Sequence, residues 1–530
     1  MGFLNVLTPA ALITSVLVLL ALLQIIVLVN LVRRLFSSYR LPQSLPWVGV
    51  GSHNGAIARA QAHLTSFFKL QDLLDEGYEK YSKIDKPYVL PYFINGPQVI
   101  LPRSQIRWLI EQSDSVLSQE HVNRQFLEAD HTFLHANLVK DPVHPEIIKH
   151  ELTKQIGSFT DDIVDEVNSC LEDYWGAESG NWQEVKVYDT MLDLIARLST
   201  RVFIGQPLCN DPDFLKTCRI FNRNVALSAA ALSTLPKFMK PVFAPLVTCY
   251  DYFQYQKCSR YIMPTIKERL ARAQASAEKL PLFDDKPAPN DYIQWAISHA
   301  LSKPVPNPAE LDPRVIACRF SVLCFAAIQS SVITLTNCLF DIAASPHCSS
   351  VLAALRDEVL RETEGGASWS KSALARMTHV DSCLRESLRL NGFIERGVMK
   401  MVIAPEGVVL PDGSHVPAGT KVGVSGYSVH HDSEIYGDAM SFDAFRFVGA
   451  GKGGKPLAFV TTSESFMGFS YGSHACPGRF FAANQLKIAL AHIALNYEIE
   501  PVVKRPINRW FFGHIAPPLH EMLRVKRRKS

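Results

Sequence analysis

The tightest constraint in this chain is a cysteine set between glycines at the start of an apolar helix: Phe469-Ser470-Tyr471-Gly472-Ser473-His474-Ala475-Cys476-Pro477-Gly478-Arg479-Phe480. Pro477 suits a first helical turn, because its φ is fixed and its missing N–H is not needed there. The remaining unpaired N–H groups and the positive end of the helix dipole then face the Cys476 sulfur, which favours its thiolate. Gly472 and Gly478 keep side chains away, as a broad planar ligand lying close to that sulfur requires. Read alone, the segment also fits a buried structural cysteine ahead of a capped helix.

Further patterns belong with this one. In Asp381-Ser-Cys-Leu-Arg-Glu386-Ser-Leu-Arg389-Leu, Glu386 and Arg389 are three apart and share one helical face, and Thr378 through Asp381 are in place to cap that helix. Downstream, Phe442-Asp443-Ala444-Phe445-Arg446-Phe447 offers a second arginine. A long helix is predicted from Asp312-Pro313 to about Ala344. Its stretch Phe320 to Phe340 is uncharged, yet Gln329, Ser330, Ser331, Thr334, Thr336 and Asn337 crowd its middle. Those groups are costly in lipid and acceptable in a protein interior that supplies partners, so a buried central helix is expected.

Together these segments resemble the cytochrome P-450 monooxygenases, whose haem-binding pattern Phe-x-x-Gly-x-x-x-Cys-x-Gly is met at Phe469, Gly472, Cys476 and Gly478. The resemblance implies a mainly α fold with a small β portion, and haem b with Cys476 as the metal's axial ligand. It also implies that His474 and Arg396 lie near the haem propionates, and that Glu386, Arg389 and Arg446 form a structural network. An anionic sulfur ligand pushes electron density onto iron and favours O–O cleavage. Ala326-Ala327-Ile328-Gln329-Ser330 aligns with the family's Ala/Gly-Gly-x-Asp/Glu-Thr segment, but Gln329 stands where the acid would be and cannot titrate. Proton delivery would then rest on Ser330, Ser331 and ordered water. By family position, Leu323, Ala326, Ala327, Phe393, Ile394, Ile515, Ala516 and Pro517 would line the substrate pocket.

Residues 10–32 carry no charge and are dominated by Leu, Val, Ile and Ala. As a helix they would reach roughly 35 Å, enough to span a bilayer. No Lys or Arg precedes them and no small-residue cleavage site follows, so an uncleaved single-pass anchor is expected. Arg33, Arg34 and Arg40 come next and place the remainder in the cytosol, leaving 1–9 in the lumen. Residues 33–50 form a basic flank and proline-rich hinge, and 51–530 a single haem-binding domain. The stretch 61–302 reads as mostly helical, and strands are expected from Gly407 to Val424 and after Tyr497. Lys279 to Asn290 reads as a solvent loop, and the basic end Arg524 to Lys529 as a solvated tail near an anionic membrane.

Lys plus Arg at 54 against Asp plus Glu at 51 is too near balance for a nucleic-acid partner. The 11 cysteines, odd in number and dispersed, suit a reduced, cytosol-facing fold. Gly449 to Pro456 imitates a phosphate loop, but Pro456 removes the needed hydroxyl and N–H. Lys452, Lys455 and Arg479 either attract an acidic reductase or are ordinary surface cations. The resemblance implies an endoplasmic-reticulum enzyme that takes electrons from NADPH through NADPH-cytochrome P-450 reductase. The Ala-Ala-Ile-Gln-Ser and Ala-Cys-Pro-Gly-Arg-Phe-Phe-Ala runs are similar to filamentous-fungal secondary-metabolite oxidases. A lipophilic substrate is implied, a terpenoid or meroterpenoid first and a polyketide or alkaloid second, with hydroxylation or multi-step oxidation as the reaction. The missing acid at Gln329 motivates an alternative, a reductase-independent haem-thiolate isomerase or dehydratase. A non-catalytic membrane binding protein is the third reading.

Overall fold

The computed structural model describes residues 18, 21, 24–33, 35, 41–51, 55–93, 95–177, 180–277, 287–305, 307–393, 395–511 and 514–529. Most of the expected anchor, together with Arg34, Arg40, Ile394 and the first part of the 279–290 loop, lies outside them. The central helix forms where the sequence places it, Pro313–Ala344, with the Asp312 side chain accepting from the Arg314 N–H at 2.8 Å. Among the described residues it is the one helix long and apolar enough to cross a membrane, yet most of that stretch is buried in protein. Several of its polar groups are satisfied: Ser321 and Thr334 donate to the Ala317 and Ser330 carbonyls of the helix itself, and Asn337 to the Asn391 carbonyl across the interior. Helices Val187–Phe203, Cys249–Ala277, Thr378–Asn391 and Arg479–Asn496 surround it.

Along the chain the strands are β1 (Tyr88–Leu90), β2 (Gln98–Leu101), β3 (Leu117–Ser118), β4 (Gln183–Lys186), β5 (Met399–Val402), β6 (Val408–Val409), β7 (His415–Val416), β8 (Lys421–Val424), β9 (Tyr497–Ile499), β10 (Arg509–Phe511), β11 (His514–Ala516) and β12 (Met522–Arg527). One sheet has the order β1-β2-β8-β5-β3, with β2 and β8 parallel. The Gly407 to Val424 strands are therefore present as β6 to β8. Strands β1 to β4 lie within the region read as helical, because short β runs among long helical patterns give little period-2 signal.

Two segments differ from expectation. The proline-rich connector is docked: Leu45, Trp47 and Val48 are buried, and Pro46 O accepts from the Val89 N–H at 2.8 Å, pairing the segment with β1. The basic C-terminus is no solvated tail. Residues through Arg527 form β12 between β4 and β9, with Arg524 paired to Glu500 and Arg527 to Glu172. Alternating burial along β12 puts Leu523 and Val525 in the core, and this sets its register.

The Thr378–Asn391 helix is capped from outside rather than by its own first turn. The buried Glu358 carboxylate accepts from the N–H of His379 at 2.8 Å and of Val380 at 3.0 Å, and from Thr378 Oγ1 at 3.2 Å. A carboxylate at a helix N-terminus gains from both the free donors and the dipole. Glu358→Ala is expected to cost about 3 kcal/mol by orphaning those donors, with Glu358→Gln intermediate, as read from chemical denaturation midpoints.

Candidate active site

Glu386 is fully buried between two arginines. Arg389 Nε and Nη2 donate to its two oxygens at 2.7 and 2.8 Å, and Arg446 Nε donates at 2.9 Å, as does the Asp443 N–H at 3.2 Å. Arg389 also donates to the Ala439 carbonyl at 2.8 Å and sits over the Tyr436 ring. The expected three-residue network is thus formed. It ties the Thr378–Asn391 helix to the irregular segment that leads towards Cys476.

The cysteine loop is shaped by its glycines and by short backbone bonds. Cys476 N–H donates to Phe469 O at 2.9 Å, and Ala475 N–H to Gly472 O at 3.1 Å. Gly472 has φ +86°, and a Cβ there would lie 3.0 Å from the Ile110 side chain, so conformation and space both require glycine. At Gly478 a Cβ would meet no atom within 4 Å. The Phe469 ring packs edge-on against Phe459. Cys476 is enclosed yet keeps part of its surface accessible. Burial holds its thiol above the ordinary range, while the N–H groups of Gly478 and Arg479 and the Arg479 charge oppose that rise. A bound metal cation would favour the thiolate.

Opposite, the central helix interrupts its own burial. Val322, Phe325, Ala326, Gln329, Ser330 and Ile333 are accessible in a helix whose neighbours are almost wholly buried. Gln485 Nε2 donates to Ser331 Oγ at 3.0 Å. This contact joins the Arg479–Asn496 helix to the central helix about two turns beyond Cys476. Ser331 is consumed by that structural bond, so of the two adjacent serines only Ser330 presents its hydroxyl, donating weakly to Ala326 O at 3.4 Å. Leu323 belongs to the core, as do Ile515 and Pro517 by burial, whereas Ala327, Phe393 and Ala516 are half-buried.

His474 and Arg396 have found other partners. His474 Nε2 is 2.8 Å from Asp114, and Lys400 Nζ is 3.8 Å from the same carboxylate while donating to Gln112 O. Arg396 instead donates to Gln98 Oε1 at 3.1 Å and stacks on Tyr92. Lys400 is thus a further cation brought beside His474. Nothing in the sequence singled out Asp114 or Lys400, since their meeting depends on tertiary pairing across 286 or more positions. A small recess of about 10 Å³ lies between Thr132, Phe133, Leu134, Phe221, Val225, Cys318, Val322 and Phe325. Its lining is mostly apolar and was likewise missed.

The model of the family described as Cytochrome P450 matches residues 105–523. The chain belongs to the cytochrome P450 family. It is accordingly an oxidoreductase of the monooxygenase kind, in a family that carries haem-thiolate iron. It is similar to cytochrome P450 monooxygenase gloP of Glarea lozoyensis, 29% identical over 96% of each chain. Cytochrome P450 monooxygenase 151 of Postia placenta is 33% identical over 88% of this chain and 90% of its own. Cytochrome P450 monooxygenase htyF of Aspergillus rugulosus is 29% identical over 97% of this chain and 76% of its own. In this P450, Glu386→Ala would leave two buried guanidinium groups unpaired. A loss of about 3–5 kcal/mol is expected, measured by denaturation and by the fraction of protein recovered folded.

Proposed function

We propose that this cytochrome P450 is a membrane-anchored monooxygenase of fungal secondary metabolism. Its substrate is a lipophilic skeleton, a terpenoid or meroterpenoid, and its electrons come from NADPH through a separate reductase. The observation that carries the reading is the accessible Ala326–Ser330 face of an otherwise buried helix, joined through Ser331 and Gln485 to the helix that follows Cys476. The residues present fit haem: a partly accessible sulfur, an unobstructed Gly478, and two cation-capable groups, His474 and Lys400, beside the loop.

Haem held by Cys476 supplies the oxidising chemistry when bound. The N–H groups of Gly478 and Arg479 steady the sulfur's charge, and Lys400 and His474 stand ready for carboxylates. Ser330, with its hydroxyl held only by a long bond to Ala326 O, is free to pass a proton between water and the site. Gln329 orients water without exchanging protons. The mostly apolar recess that shares Val322 and Phe325 with the accessible face suits contact with a lipophilic skeleton.

Membrane attachment has support on the surface. The described part of the N-terminal apolar helix packs Val27 against the Leu232, Leu235 and Ala244 cluster, and Asn30 donates to Thr234 O at 2.9 Å. Around that contact Leu227, Phe238, Val242 and Leu246 are each more than 60% exposed. Such a contiguous apolar rim suits burial in lipid. The helix Pro212–Thr234 runs from this rim to the recess at Phe221 and Val225.

A membrane preparation with reductase, NADPH and isotopically labelled dioxygen tests the proposal against a panel of terpenoids and meroterpenoids. Labelled product that depends on NADPH is expected. Ser330→Ala should lower its formation on the order of 100-fold, with Ser330→Thr retaining most of it. Product formed without oxygen consumption would instead support the isomerase reading that Gln329 motivates.

A further inference from the structure

The β10–β11 hairpin stands apart from the five- and three-stranded sheets. Its strands pair with each other, Arg509 to Phe511 against His514 to Ala516, and among the described residues no third strand joins them. A lone two-stranded hairpin is marginally stable in water, so its place must be set by other contacts. Trp510 packs edge-on against Tyr427. A second hold is at the hairpin's base.

There the chain coming from β9 follows the end of the central helix. Val502 N–H donates to Ala343 O at 2.8 Å, and three residues on, Arg505 reaches two side chains of that helix. Its Nε donates to Asp341 Oδ1, and its Nη2 to Asn337 Oδ1 at 2.9 Å. The Asp341 carboxylate is buried and also accepts from Asn391 Nδ2 at 2.8 Å and from Ser387 Oγ at 2.6 Å. Asn337 donates in turn to Asn391 O, and Asn508 to Asn391 Oδ1 at 3.4 Å. Burial raises the Asp341 carboxyl, and Arg505, Ser387 and Asn391 act against that rise. One polar hub therefore joins the central helix, the Thr378–Asn391 helix and the base of the hairpin. A buried pair of this kind is a poor source of net stability, yet losing one partner is costly.

The hub's place on the central helix ties it to the site. Ser330, Ile333, Asn337 and Asp341 recur every three or four residues and so form one stripe. Ser330 and Ile333 are accessible, whereas Asn337 and Asp341 are buried with Arg505 bonded to both. The accessible face thus ends about one turn before the point where Arg505 attaches, and the hairpin begins four residues after Arg505.

We propose that Arg505 is a positioning residue for the substrate site: by bonding Asp341 and Asn337 it holds the hairpin as the end wall of the accessible face and so sets how large a ligand is accepted. The inference rests on the reading of that face as the substrate site and adds the element that limits it. Without Arg505 the central helix loses two bonds from the hairpin's base, and a wall that is no longer pre-organised binds a large ligand less tightly.

The test uses the full chain, loaded with haem, in lipid nanodiscs, with imidazole and 4-phenylimidazole as probes. Both coordinate iron through nitrogen and shift the Soret band, but the larger one also meets the walls of the site. In Arg505→Met, 4-phenylimidazole should bind about fivefold or more weaker while imidazole stays within about twofold, and Arg505→Lys should retain most of the wild-type preference. In wild type, amide exchange in β10 and β11 should slow on binding 4-phenylimidazole and not on binding imidazole. A merely structural Arg505 predicts lower thermal stability with the ratio of the two affinities unchanged, and that result overturns the proposal. So does wild-type exchange in the hairpin that is indifferent to the larger ligand, a measurement that stands even where Arg505→Met fails to fold. No Soret shift with imidazole in haem-loaded wild type overturns the reading of the site itself, and the proposal with it.

Discussion

A fully buried carboxylate held between two guanidinium groups organises the site. Glu386 satisfies Arg389 on its own helix and Arg446 from sixty residues away, and the Asp443 N–H completes its shell. Such an arrangement gains little stability over an apolar substitute, but breaking it leaves charge uncompensated in the interior. Its value is positional. It fixes the segment after β8 against the Thr378–Asn391 helix, and that segment leads to the loop that presents Cys476. Glu358, capping the same helix from its neighbour, holds the other end of the frame.

From that frame the site follows by packing. The Arg479–Asn496 helix is nearly buried along its whole length and meets the central helix through Gln485 and Ser331. The contact fixes where Cys476 stands relative to the accessible turn from Ala326 to Ser330. A helix apolar on every side must be buried or lie in lipid, and the central helix takes the first course. Between its ends it remains accessible on the face from Val322 to Ile333.

The parts legible in the sequence were those with a local signature. Asp312-Pro313 marked the start of the central helix, the three-residue spacing marked Glu386 and Arg389, and the glycine spacing marked the cysteine loop. What was illegible depended on partners distant in sequence. Glu358 caps a helix some twenty residues on, Asp114 meets His474 across 360 positions, and Arg396 is turned to Gln98 by strand register. Ser331 looks equivalent to Ser330 in sequence and differs only because the helix turns about 100° per residue. The connector at Pro42 to Val48 read as a hinge and the basic C-terminus as a solvated tail because their pairing strands lie elsewhere in the chain.

The central claim is that Cys476 holds a haem iron through its sulfur. The most direct measurement is the carbon monoxide difference spectrum of the reduced protein, wild type beside Cys476→Ala, with folding of each checked by circular dichroism. A red-shifted thiolate Soret band in wild type, absent from a folded Cys476→Ala, is the predicted result. A band that survives the substitution, or none in folded, haem-supplied wild type, would contradict the account.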